Sequence, residues 1–280
     1  MKLYRDFTTQ DEIDREYNPM AAVPTAPKVI EGWIARSEQA RAADGVRLGV
    51  KFGPTKEEYL DIFPAGRDAP VHVFVHGGYW RRFSAREHSF VAPPLTARGI
   101  AVVVVNYALC PFVTIDEIVR QVRASVAWTH EHARSFGGDP ARLSISGHSA
   151  GGHLTAMALS TDWEGVYGLP ADTLKGGVPI SGLFDLAPFP FSYLQPTLQF
   201  DWAQVHRNSP IRHVPAHRPP ATIAVGGDES SEFRRQSHAY AEAYGAPYLE
   251  VPGTNHFTVI EELERSGSAL QEAVLGVALA

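Results

Sequence analysis

The pentapeptide Gly147-His148-Ser149-Ala150-Gly151 has G-x-S-x-G spacing, in which two glycines relieve crowding at a sharp strand-to-helix turn and push a serine hydroxyl outward. Once a base takes its proton, such a hydroxyl is a nucleophile for acyl transfer. The flanks fit the turn. Leu143-Ser144-Ile145-Ser146 reads as a strand, and Gly152-His153-Leu154-Thr155-Ala156-Met157 reads as a helix; a serine that merely capped a helix would need no strand before it. A second segment, His76-Gly77-Gly78-Tyr79-Trp80, follows the apolar run 71–75. A glycine-bearing loop at that point can turn backbone N–H groups toward a developing oxyanion without reorganising during reaction. Gly78, Tyr79 and Ala150 are the expected donors, and His76 is expected to hold the loop rather than transfer a proton.

The base and acid of a serine nucleophile on such a turn follow it in the order Ser, acid, His. Both are available late in the chain. His256, in Asn255-His256-Phe257, follows the last strand-like run, and Gly226-Gly227-Asp228-Glu229 follows the run 222–225, leaving Asp228 and Glu229 open as the acid. Twelve histidines compete, so His256 is chosen by position. His130 and His132 lie two apart on a helix and face different ways; His206, His213 and His217 lack a carboxylate or cysteine pattern around them. No metal site is expected.

These side chains need a scaffold, and the chain alternates short β-branched runs with helical stretches, as a mostly parallel sheet with helices on both faces requires. The fold class is α/β, with eight strands expected at 46–52, 58–63, 71–75, 100–106, 143–146, 177–180, 222–225 and 248–251. The run 101–105 has no polar alternation, which suits a central strand covered on both faces. The two earliest strands alternate and suit an antiparallel edge. Apolar residues recur at helical spacing over 114–136 and stop at Gly137-Gly138-Asp139-Pro140; 149–159 and 231–244 read as further helices. Segment 183–220 breaks the rhythm with prolines among Phe189, Phe191, Tyr193, Phe200 and Trp202, and reads as a cap-like insertion; the first 40 residues read as helical. One domain over 1–280 is expected.

Composition narrows the classes. With 280 residues, 44% of them hydrophobic, the chain can bury a large core. A net charge of −6, with no long Lys/Arg run, makes nucleic acid an unlikely partner. The N-terminus lacks the apolar core of about 7 to 15 residues that a signal peptide needs, and the longest apolar runs fall short of the roughly 20 residues that span a bilayer. With Cys110 alone, no intrachain disulfide is available. A cytoplasmic protein acting on a small molecule, without nucleic acid or membrane, is expected, with a homodimer left open.

At this point the chain resembles the kynurenine formamidases, or arylformamidases, of the α/β-hydrolase superfamily. His76-Gly77-Gly78-Tyr79-Trp80 carries the resemblance, in place of an esterase H-G-G-G. It extends through Glu16-Tyr17-Asn18-Pro19, residues 94–103, Gly147-His148-Ser149-Ala150-Gly151, Ser181-Gly182-Leu183-Phe184-Asp185-Leu186, Arg207-Asn208-Ser209-Pro210 and residues 232–237, nearly the whole chain. The resemblance implies an α/β-hydrolase fold and hydrolysis of N-formyl-L-kynurenine to L-kynurenine and formate, in tryptophan degradation, with no metal or organic cofactor. It further implies Ser149 as nucleophile, His256 as base and Glu229 as acid, the last because the family's acid lies three residues beyond the loop's first glycine. Tyr79 and Trp80, with the aromatic insertion, are expected to wall an aryl pocket. Arg81, Arg82, Arg86 and Arg207 all remain open as partners for the substrate's amino-acid group. Two other functions compete: a broad-range carboxylesterase or carbamate hydrolase with the same machinery, and a hydrolase-fold binding module without catalysis.

Overall fold

The computed structural model describes residues 2–216 and 218–280; His217 therefore lies outside the described residues. Eight strands, β1 (Arg47–Lys51), β2 (Tyr59–Phe63), β3 (Ala69–Val75), β4 (Ala101–Val105), β5 (Gly138–His148), β6 (Leu174–Ile180), β7 (Ile223–Gly226) and β8 (Tyr248–Val251), form one sheet. Their order is β1-β2-β4-β3-β5-β6-β7-β8. β2 pairs antiparallel with both β1 and β4, and every later pair is parallel. The alternating first two runs thus form the antiparallel edge, and the valine run of β4 is wholly buried.

The period of two along each strand sorts the core into two layers. Val71, Val73, Val75, Val103 and Val105 face one layer, under helices Ile115–His132, Ala150–Leu159 and Ser231–Tyr244. Phe74, Val102 and Val104 face the other, under helices Ala26–Arg41, Ala92–Thr96 and Ala269–Ala278. β5 begins five residues before the expected 143, because Gly137 at φ +85 ends the preceding helical turn and returns the chain directly into the sheet.

Register positions the site. Val75 lies opposite Gly147, and His148 opposite Ile180. The loops leaving β3, β5 and β6 therefore start at nearly the same level, at the carboxyl edge of the strands. The strand order reverses about β3, the place where open α/β sheets leave a crevice. The N-terminal 40 residues form helices Gln10–Tyr17, Pro19–Ala22 and Ala26–Arg41. Among its described residues, the segment between β6 and β7 carries short helices, including Gln195–Leu198 and Trp202–Arg207.

Buried histidines set an acid limit on this fold. Burial pushes His72 and His76 down to about 3, and His88 and His153 down to about 4; burial beside His256 holds His148 well below its usual range. These groups stay neutral when folded, while the same side chains in the unfolded chain take protons near the ordinary imidazole value of about 6.5. Between those limits the unfolded state binds more protons, so stability falls as pH drops below about 6.5 and keeps falling toward 4. Urea midpoints at pH 7, 5.5 and 4.5 should decline in that order; a constant midpoint would contradict the neutral burial of these rings.

Candidate active site

Ser149 sits at φ +58 and ψ −118, a conformation costly for a residue with a side chain. The surroundings impose it. The Ser149 N–H donates to Ile180 O at 2.8 Å, tying the turn to β6. A Cβ on Gly151 would collide with Val75 O, and one on Gly147 with the Gly151 carbonyl and the Thr155 hydroxyl. Both glycines of the motif are thus required by close backbone approach, and together they hold the hydroxyl away from the sheet.

That hydroxyl meets His256. Ser149 Oγ lies 3.0 Å from His256 Nε2, and His256 Nδ1 lies 2.6 Å from Glu229 Oε2, in one buried chain. With the proton on Nδ1 donated to the carboxylate, Nε2 is free to accept from the serine. Asp228, the competing acid, is exposed, and its backbone N–H donates to Thr254 O. The loop thereby turns Glu229 inward and Asp228 outward. His148 donates from Nε2 to the His256 carbonyl at 2.8 Å and packs its ring 4.8 Å from that of His256, steadying the loop that carries it.

Residue reading alone assigned no role to Ser181, although it lies in one of the segments that carry the resemblance. Its hydroxyl donates to Glu229 Oε1, which also accepts the Gly226 N–H at 2.8 Å. Ser181 is fully buried at φ +50, where a glycine would be less strained. Ser181→Gly should therefore keep the thermal midpoint near wild type while lowering kcat about tenfold, the worth of one charge-assisted hydrogen bond. Unchanged kcat in a folded Ser181→Gly protein would remove Ser181 from the support of the acid.

The loop after β3 is held open in the left-handed region: Gly78 has φ +112, Tyr79 +50 and Trp80 +55. Among the described residues, the N–H groups of Gly78, Tyr79 and Ala150 meet no protein acceptor. Ala150 also begins helix Ala150–Leu159, so the helix's positive end points to the serine. His76 braces this loop. It donates from Nδ1 to Gly77 O at 2.7 Å and stacks on Tyr107, whose hydroxyl donates to the His76 carbonyl. The Tyr79 hydroxyl donates to Tyr17 O at 2.6 Å, fastening the N-terminal segment to the loop.

A cavity of about 530 Å³, including its open mouth, reaches Ser149 and His256. Its walls come from remote segments: Pro19, Met20 and Trp33 from the N-terminal helices, Gly77 to Tyr79 and Arg81 to Phe83 from the loop after β3, and His88, His148, Tyr193 and Phe257. Of the two residues expected to wall an aryl pocket, Tyr79 lines this cavity and Trp80 does not. Trp80 is fully buried against Phe189 and Phe200, and its indole N–H donates to His153 Nδ1 at 3.2 Å. The left-handed turn at Trp80 sends the large ring into the core, where it removes the most apolar area from water. Among the described residues of segment 183–220, Tyr193 lines the cavity; Phe189 and Phe200 are core, and Trp202 is exposed. Of the four arginines, Arg81 and Arg82 line the cavity, Arg86 is exposed and does not line it, and Arg207 is paired with Asp116 at 3.0 Å on the surface. Trp33 carries no signal in the sequence, because an aromatic residue on a helix reads simply as core, and Phe257 lies in the turn beside His256, where nothing in its type marks it as a wall residue.

Among the described residues no group of three His, Cys, Asp or Glu side chains could hold a metal ion. No described helix is long and apolar enough to cross a membrane.

The BD-FAE family model matches residues 60–166. A solved structure from Silicibacter sp., provisionally described as a thioesterase, shares the fold with a TM-score of 0.85 at 32% identity, covering 94% of this chain and 98% of its own. Fold and site together define a serine hydrolase of the α/β-hydrolase class. The chain is 33% identical to the kynurenine formamidase of Salmo salar over 283 residues, 94% of each chain. It is also 33% identical to that of Danio rerio over 286 residues, 95% of this chain and 96% of the relative. The chain belongs to the kynurenine formamidase family.

Proposed function

We propose that this chain hydrolyses an aryl formamide, N-formyl-L-kynurenine, to L-kynurenine and formate, within a single α/β-hydrolase domain whose segments 1–40 and 183–220 roof the site. The observation that carries this reading is the buried chain Ser149–His256–Glu229 opening on an aromatic-walled cavity in a member of that family. Ser149 Oγ attacks the formyl carbon as His256 Nε2 takes its proton. The oxyanion is held by the N–H groups of Gly78, Tyr79 and Ala150. His256 returns the proton to the aniline nitrogen, the C–N bond breaks, and L-kynurenine leaves a formyl ester on Ser149. Water, deprotonated by the same imidazole, then releases formate. Glu229 keeps the imidazole in the required tautomer and stabilises its cation throughout. A cytoplasmic location fits the buried free thiol of Cys110.

The same machinery can cleave esters, and the thioesterase description of the Silicibacter relative favours that second reading. Steady-state kinetics separates the two. The specificity constant for N-formyl-L-kynurenine should exceed that for p-nitrophenyl acetate; a tenfold advantage of the ester would move the assignment to an esterase.

A further inference from the structure

Two cations face the cavity of a chain whose net charge is −6, and no Asp or Glu lines that cavity among the described residues. Arg81 and Arg82 are both absent from the ion pairs that occupy other arginines, such as Arg36, Arg120, Arg207 and Arg235. Arg81 is half-buried. Its guanidinium lies 5.6 Å over the ring of Tyr193, another wall residue, and its Nε is buried without a hydrogen-bond partner. The Arg82 guanidinium lies 5.3 Å over Phe83, also a wall residue. Both are fixed by the backbone next to the oxyanion loop, since the Arg81 and Arg82 N–H groups donate to Gly78 O.

A partly buried guanidinium such as that of Arg81, without an ion-pair partner among the described residues and beside the exposed one of Arg82, is poised to be neutralised by a ligand, and its fork matches a carboxylate. We infer that Arg81, assisted by Arg82, forms an anion subsite that selects substrates carrying a carboxylate remote from the scissile bond. This deepens the formamidase reading and rests on it for the identity of the substrate: the α-carboxylate of N-formyl-L-kynurenine is the group the subsite would hold. The other two arginines are excluded by position, because Arg207 is paired with Asp116 and Arg86 does not line the cavity. Arg81 should carry the larger share, since its guanidinium is less exposed and so less screened by water and salt.

The test compares N-formyl-L-kynurenine with 2-formamidoacetophenone, the same aryl formamide lacking the amino-acid group, in the wild-type chain, Arg81→Met, Arg82→Met and Arg81→Lys. Methionine retains an apolar stem over Tyr193, and a ratio of specificity constants cancels any loss of folded protein. The ratio of anionic to neutral substrate should fall about 10- to 100-fold in Arg81→Met, mainly through KM. It should fall less in Arg82→Met and be partly restored in Arg81→Lys. A ratio unchanged in both methionine variants overturns the subsite while leaving the formamidase reading intact.

A parallel arm does not need formamidase activity. L-kynurenine and 2-aminoacetophenone are compared as inhibitors of p-nitrophenyl acetate hydrolysis. If the wild-type chain turns over neither formamide, yet L-kynurenine inhibits it with a Ki that rises at least tenfold in Arg81→Met relative to 2-aminoacetophenone, the substrate assignment fails and the anion subsite stands. Equal relative inhibition in wild type and Arg81→Met overturns the subsite.

Discussion

Replacing Ser149 with alanine should reduce kcat by about 10⁶-fold, the loss that follows removal of the nucleophile from a serine protease triad. Ser181, the other hydroxyl joined to the triad, is committed to Glu229 and cannot take over. The protein should remain folded, because the tie from the residue 149 N–H to Ile180 O is backbone and survives the change. Ser149→Gly sharpens the point. A glycine accepts φ +58 without the steric cost that serine bears, so this variant should be inactive and at least as stable as the wild-type chain. Activity measured on purified, monodisperse protein decides the matter, and a folded Ser149→Ala chain retaining more than a tenth of wild-type turnover would refute the assignment.

Glu229→Gln should cost roughly 10⁴-fold in kcat, by analogy with the amide replacement of the acid in a serine protease triad. The carboxylate accepts from His256 Nδ1 through one oxygen, and from Ser181 and Gly226 through the other. Whichever end of an amide faces the imidazole, one of these donors loses its partner or meets another donor, and the charge that stabilises the imidazolium is gone. Asp228→Asn should change activity only modestly, since that side chain is exposed and His256 Nδ1 is already bonded to Glu229. Measured side by side, the two single variants rank the carboxylates directly; the opposite order would transfer the role to Asp228.

Much of the scaffold is legible in the sequence. All eight strand positions correspond, and helix Ser231–Tyr244 spans the expected residues. Periodicity is a local signal, and here it agrees with the tertiary packing that stabilises it. The cavity was less legible. Trp80 and Arg81 are adjacent in a loop without regular periodicity, and nothing in their types says which one turns inward to the core and which faces the site. The walls contributed by Met20, Trp33 and Tyr193 come from segments far apart in sequence, so their convergence depends on how the N-terminal helices and the segment after β6 pack on the sheet.

The sequence by itself determined the elbow at Ser149, the glycine-bearing loop at residues 76–80, the late histidine and the α/β order. Each rests on backbone constraints that a few residues encode: glycines where another backbone comes too close, and apolar runs of strand length. The tertiary structure brings Glu229, the acid the resemblance implied, to His256, and it alone decided that Ser181 braces that carboxylate, that Trp80 belongs to the core, and that Arg81 and Arg82 face the cavity. The direction of a side chain in a loop is set by competition among remote packing partners for apolar contact and hydrogen bonds, and that competition does not exist until the chain has folded.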